Sequence, residues 1–207
     1  MGSRGTRVAS PVTLRDGVVV EDPVSVVLSC VEAGWVDPLD RSRVAAFGEA
    51  DLRRANRGGA RISGAEIASI LERRPAIERS LRAIGPGVSL AGAASALPWT
   101  PLLLLFEAFA GIRGVGVAKM TKALHPKRPA LVPMLDSVVQ GYLADDDLGA
   151  EASFAERALG LVRGYKRDLD DNRRAIAAVR RELAKRGHSV TEVRVLDLLI
   201  WSAAAGR

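Results

Sequence analysis

The 207-residue sequence predicts an all-α protein. Apolar residues recur at three- and four-residue spacing through most of the chain, the runs are punctuated by residues typical of helix ends, and no alternating strand pattern follows Val20. With 48% hydrophobic and 26% charged residues, the composition is that of a chain that folds.

Residues 1–23 are rich in Gly, Ser, Pro and charge, with one β-like run at Val18, Val19 and Val20, and read as an N-terminal arm. Residues 24–207 read as a single helical domain. Val24, Val27, Leu28 and Val31 predict a first helix from Pro23 that Gly34 ends. A second helix is expected over about 48–56. A third runs over about 63–73, where Ser63 and Glu66 have capping-box spacing. Pro75 opens a fourth, carried by Ile77, Leu81 and Ile84 and closed by Gly85. After a small-residue linker, Thr100 is expected to cap a strongly apolar helix beginning at Pro101. Asp136 precedes a helix reaching about Leu143, and three more are expected over about 151–164, 168–186 and 191–204, the last with Ser189 and Glu192 at capping-box spacing.

The net charge of +6 and the pI near 10.1 come mostly from arginine. A basic balance suits phosphate contacts, and it also follows from a compositional bias toward Arg, Ala and Gly. Cys30 is the single cysteine, which excludes an internal disulfide, a cysteine zinc knuckle and a cysteine-held iron–sulfur cluster. His125 and His188 are too isolated to make a metal site, so neither metal nor cofactor is expected. The longest apolar run, Leu102 to Phe106, is too short to cross a bilayer, and the N-terminus lacks the apolar stretch of a signal peptide. The expectation is a cytoplasmic monomer that does not engage membranes.

Two stretches carry functional information. The first is Asn56-Arg57-Gly58-Gly59-Ala60-Arg61, a basic glycine turn that either binds a ligand through its backbone or simply links two helices. The second runs from Gly111 to Val139, with no acid between Glu107 and Asp136 and with Arg113, Lys119, Lys122, Lys127 and Arg128 inside it. Its Gly114-Val115-Gly116 turn, entering a helix, would leave backbone N–H groups pointing at solvent where a helix dipole favours an anion. Ile112 and Val115 are expected to pack inward. Asp136 reads two ways, as the N-cap of the helix that follows or as a functional carboxylate.

The run FAGIRGVGVAKMTKALHPKRPALVPMLDSVV resembles the segment of helix-hairpin-helix DNA glycosylases, relatives of endonuclease III, in which a glycine hairpin is followed by a helix, a proline-rich loop and a catalytic Asp. The resemblance spans about thirty residues and implies a two-lobed helical fold with the helix-hairpin-helix at about residues 101–125. It further implies hydrolysis of the N-glycosidic bond of a modified base in double-stranded DNA, held by its phosphate backbone with one base flipped out. Asp136 would be the catalytic carboxylate, stabilising a cationic sugar and orienting water. Arg113, Gly114, Val115, Gly116, Lys119 and Lys122 would hold DNA. Arg61, with Arg57 and Asn56, would fill the gap left by the base. Trp99, Phe106, Phe109 and Tyr142 are the candidate stacking partners. Two departures from the family pattern are visible. Arg113 replaces the proline before the first glycine, and Ala118 stands where bifunctional members carry a lysine nucleophile, so monofunctional hydrolysis is expected. A catalytically silent DNA-binding module and a helical protein-interaction domain are the alternatives.

Overall fold

The computed structural model describes residues 10–35 and 45–205. Ten α-helices fill most of that length: α1 (Pro23–Glu32), α2 (Glu49–Arg57), α3 (Gly64–Glu72), α4 (Arg74–Ile84), α5 (Trp99–Glu107), α6 (Val117–Leu124), α7 (Ser137–Tyr142), α8 (Phe154–Asp171), α9 (Arg173–Lys185) and α10 (Glu192–Ala205). The all-α expectation holds, and no described helix is long and apolar enough to cross a membrane.

Local chemistry accounts for most boundaries. Ser63 caps α3 through its hydroxyl while Glu66 bonds back to the Ser63 N–H, the reciprocal arrangement its spacing predicts. Three boundaries differ from expectation. Thr100 does not cap α5, which begins at Trp99 behind Pro98, two residues before the expected start. α8 starts behind a Ser153–Glu156 capping box and runs on to Asp171, its buried stripe continuing through Tyr165 and Leu169; the break falls at Asn172. α10 is entered through Thr191, whose hydroxyl accepts the Arg194 N–H, rather than through Ser189.

The N-terminal segment also packs more closely than its composition suggests. Val12–Thr13 (β1) pairs antiparallel with Val19–Val20 (β2), and Val12 and Leu14 are buried. Asn172, at the α8–α9 break, exchanges hydrogen bonds with the Thr13 backbone at 2.9 and 2.8 Å. Arg15 bonds Asp168 at 2.8 Å and Asp146 at 2.6 Å.

One continuous cluster of apolar side chains runs from this ribbon to α10. Around it, α2 packs on α3 and α6, and α4 packs on α5. α1 packs on α9 and α10, and α10 also receives α7. α8 joins these neighbourhoods by packing on α5 as well as on α9 and α10. A cleft opens between α2, α6 and α10, beside the segment that leads into α7.

Candidate functional site

Asp136 reaches this cleft because four hydrogen bonds fix the extended segment before it. On the α6 side, Thr121 accepts the Leu135 N–H on its hydroxyl at 3.1 Å, and the ring nitrogen Nδ1 of His125 meets the Val132 carbonyl at 2.7 Å. From α7 the Gln140 amide donates to the Leu135 carbonyl at 2.7 Å, and from α10 Asp197 accepts the Met134 N–H at 3.4 Å. The Asp136 carboxylate is then divided between two tasks. Oδ1 accepts the Val138 and Val139 N–H groups, both at 3.1 Å, as the N-cap of α7. Oδ2 accepts the Trp201 indole N–H at 2.9 Å.

The cleft has a volume of about 580 Å³. Asp136, Met134 and Leu198 line it together with two tryptophans, Trp35 and Trp201, whose rings meet edge to face at 6.4 Å and 75°. Those rings remain 52% and 37% exposed, which leaves aromatic surface for a ligand. Arg54, Arg57, Lys122 and Arg194 also line it, so one carboxylate sits among several cations. Arg194 donates to the Trp35 carbonyl and lies 3.9 Å from Asp197, tying the end of α1 to α10.

Two titratable groups, His125 in the cleft wall and the buried Asp197, are shifted. Burial lowers His125 from 6.5 to about 4, so the ring is neutral near pH 7, and donation from Nδ1 to Val132 leaves Nε2 as an acceptor. Burial raises Asp197 from 3.8 to about 7, against the opposing charge of Arg194 and the hydroxyl of Tyr165 at 3.0 Å.

The fold brings some of the sequence's candidates together and separates others. Arg57, Gly58, Lys122 and Asp136 meet at the cleft, and Lys122 reaches the Gly59 carbonyl at 3.4 Å. Asn56 serves the glycine turn itself, clasping Ile62 through its backbone N–H and carbonyl at 2.6 and 2.8 Å. Arg61 is exposed on this turn with φ 55°, a left-handed conformation unusual for arginine, and does not line the cleft.

The Gly114 turn lies at the other end of α6. Ile112 and Val115 are buried beneath it as expected, Arg113 is exposed, and Gly114 takes φ 82°. Gly116 is extended and opens α6, whose first-turn N–H groups lie outside the helical ladder. Lys119 is not free charge here: its ammonium binds both oxygens of Glu66, at 2.7 and 2.8 Å, and that carboxylate sits against Gly114. A phosphate approaching this turn meets Glu66 as well as the N–H groups.

Among the stacking candidates, Phe106 and Phe109 are core residues. Trp99 carries Arg163 over its ring at 5.4 Å, and Tyr142 lies under Arg15 at 5.3 Å. Reasoning from sequence missed Trp35, Trp201 and Arg194. The available signal was the stripe Arg194, Asp197, Leu198 and Trp201 at positions i, i+3, i+4 and i+7 of an otherwise apolar helix. Among the described residues no group of His, Cys, Asp and Glu could hold a metal.

A family model described as a family of unknown function, DUF6308, matches residues 43–204. No curated protein and no solved structure matches the chain.

Proposed function

The chain belongs to DUF6308, a family of unknown function, and from its own residues we propose that it is a monofunctional DNA N-glycosylase with Asp136 as the catalytic carboxylate. One observation carries the proposal: the Asp136 carboxylate is rigidly held in a cleft that also offers two exposed tryptophan rings and a rim of arginine and lysine. A flipped nucleotide has three parts to recognise. Its base stacks on aromatic surface, its flanking phosphates seek cations, and the sugar that becomes cationic as the glycosidic bond breaks needs a fixed negative charge. The cleft supplies a group for each.

The order of glycine hairpin, helix, proline loop and capping carboxylate along α6 and α7 supports the same reading. The grouping of α2 with α3 and α6, and of α1 with α9 and α10, joined by α8 where it packs on α5, is an arrangement that a two-lobed helical fold can take. In the proposed reaction Asp136 stabilises the oxocarbenium-like sugar and orients the attacking water. Ala118 at the nucleophile position and the engagement of Lys119 with Glu66 support hydrolysis without strand cleavage.

A second reading, DNA binding without catalysis, is favoured by the engagement of both Asp136 oxygens in structural hydrogen bonds. The experiment incubates the protein with duplexes carrying a panel of modified bases and cleaves abasic sites with alkali. Release by the wild type that Asp136→Asn abolishes supports catalysis. Release unchanged by that substitution removes Asp136 from the role, and binding with no release across the panel favours the silent module.

A further inference from the structure

Three of the five cations between Arg113 and Arg128 in the sequence are paired or buried in the fold. Lys119 pairs with Glu66 and Lys127 with Asp51, each at 2.7 Å. Arg128 is 2% exposed and donates to the Leu81 carbonyl.

A different element carries the outward charge. Residues 173–186, α9 and the residue that ends it, contain Arg173, Arg174, Arg180, Arg181, Lys185 and Arg186 against the single acid Glu182. All six cations are exposed. They have no alternative, because Ala175, Ile176, Val179 and Leu183 occupy the face that packs on α1 and α10. Four are offset by neighbouring carboxylates: Arg173 by Asp170, Arg180 by Glu192, and Lys185 and Arg186 by Glu182. Arg174 and Arg181 belong to no such pair among the described residues, and a separation of seven residues sets them on one face about 10 Å apart. Beyond Gly187 the chain turns, and Ser189, Val190 and Thr191 form part of the cleft wall. Arg180, paired with Glu192, and the C-terminal end of α9 thus adjoin the cleft wall.

We propose that the exposed face of α9 is a phosphate-binding surface for duplex DNA, separate from the Gly114 turn, along which the backbone is laid beside the mouth of the cleft. The proposal shares with the glycosylase reading the identity of the partner, and it does not depend on catalysis by Asp136. An anionic membrane would be drawn to the same charge. However, the residues between the cations on the outer face are Ala177, Ala178 and Ala184, with none of the large apolar side chains that a membrane-bound helix inserts.

The test compares the wild type with a variant carrying Arg174→Ala, Arg181→Ala and Lys185→Ala. A charge-matched control carries Arg74→Ala, Arg79→Ala and Arg82→Ala on the exposed side of α4. Each is titrated against a short labelled duplex of mixed sequence over a range of salt. The α9 variant should bind about tenfold or more weakly, and the slope of log affinity against log salt should become shallower by about two to three, while the α4 control stays within about twofold of wild type. Single Arg174→Glu and Arg181→Glu substitutions should weaken binding in the same direction should the triple variant fold poorly.

Unchanged affinity and slope in the α9 variants would overturn the proposal. So would equal loss in the α4 control, which would reveal a net-charge effect, or loss of binding to phosphatidylserine vesicles with duplex binding intact. The same titration on Asp136→Asn keeps the two readings apart. A wild-type protein that binds duplex but releases no base across the panel removes the catalytic reading and leaves α9 to be judged by its own variants; a wild type that binds no duplex overturns the α9 surface.

Discussion

Asp136 combines a structural and a chemical role on separate oxygens, and substitutions can part them. Asp136→Asn keeps an oxygen for the Val138 and Val139 N–H groups, whereas Asp136→Ala leaves both without a side-chain acceptor. The alanine variant should therefore be the less stable of the two by about 1 kcal/mol in thermal or denaturant melts. Base release should fall about a hundredfold or more in both, because the negative charge is lost in both. Comparable stability of the two variants would mean that the cap contributes little.

Asp197 and His125 give opposite pH responses. From about 4 to 7 folded Asp197 holds a proton that the unfolded chain has released, so its contribution is complete below about 4 and fades as pH rises to about 7. His125 is lowered to about 4, so its contribution is complete above 6.5 and is lost as pH falls toward 4. The two slopes oppose each other across this overlap. Urea unfolding of Asp197→Asn should show stability falling on acidification, and His125→Gln should show it rising, each by at most about 1.4 kcal/mol per pH unit. Identical pH profiles in wild type and both variants would rule out these shifts.

Within the α5–α6 hairpin the two glycines do different work, although the triplet reads symmetrically in sequence. Gly114 has a positive φ of 82°, and an added Cβ would overlap the Glu66 carboxylate. Gly114→Ala should therefore cost about 1–3 kcal/mol in denaturant unfolding. Gly116 has φ −91° and open space where a Cβ would go, so Gly116→Val should keep the fold while screening the first-turn N–H groups of α6. Duplex affinity should then fall several-fold; unaltered affinity would show that this turn is not a clamp. The inward packing of Ile112 and Val115 was legible because apolar residues flanking a glycine turn have one dry side to occupy. The partner of Lys119 was not, since Glu66 lies fifty-three positions away and only the packing of α3 beside the turn brings it there.

Across the whole molecule, Arg15 anchors the β1–β2 ribbon to the far end of the chain. It does so through Asp146 and Asp168, whose side chains are 9% and 12% exposed. Arg15→Ala leaves the poorly hydrated Asp168 without its guanidinium and Asp146 with Arg167 as its remaining cation, at a cost of about 2 kcal/mol. Hydrogen exchange should quicken at the Leu14 and Val18 amides, which close the ribbon's turn, and unchanged protection there would mean the ribbon is held by Val12 and Leu14 alone.

By itself the sequence determined the helical class, most helix positions and that Asp136 stands where a helix cap can stand. These rest on interactions within a few residues: apolar spacing on one helix face, a side-chain oxygen reaching the next turn, a proline or glycine at an end. Tertiary structure decided the composition of the cleft, which draws Trp35, Arg57, Lys122, Asp136 and Trp201 from elements far apart in the chain. It also decided where the positive charge faces. A lysine or arginine in a basic window becomes internal when a distant carboxylate or carbonyl is folded against it, as at Lys127 and Arg128, and stays outward on α9 because the opposite face of that helix is committed to the core.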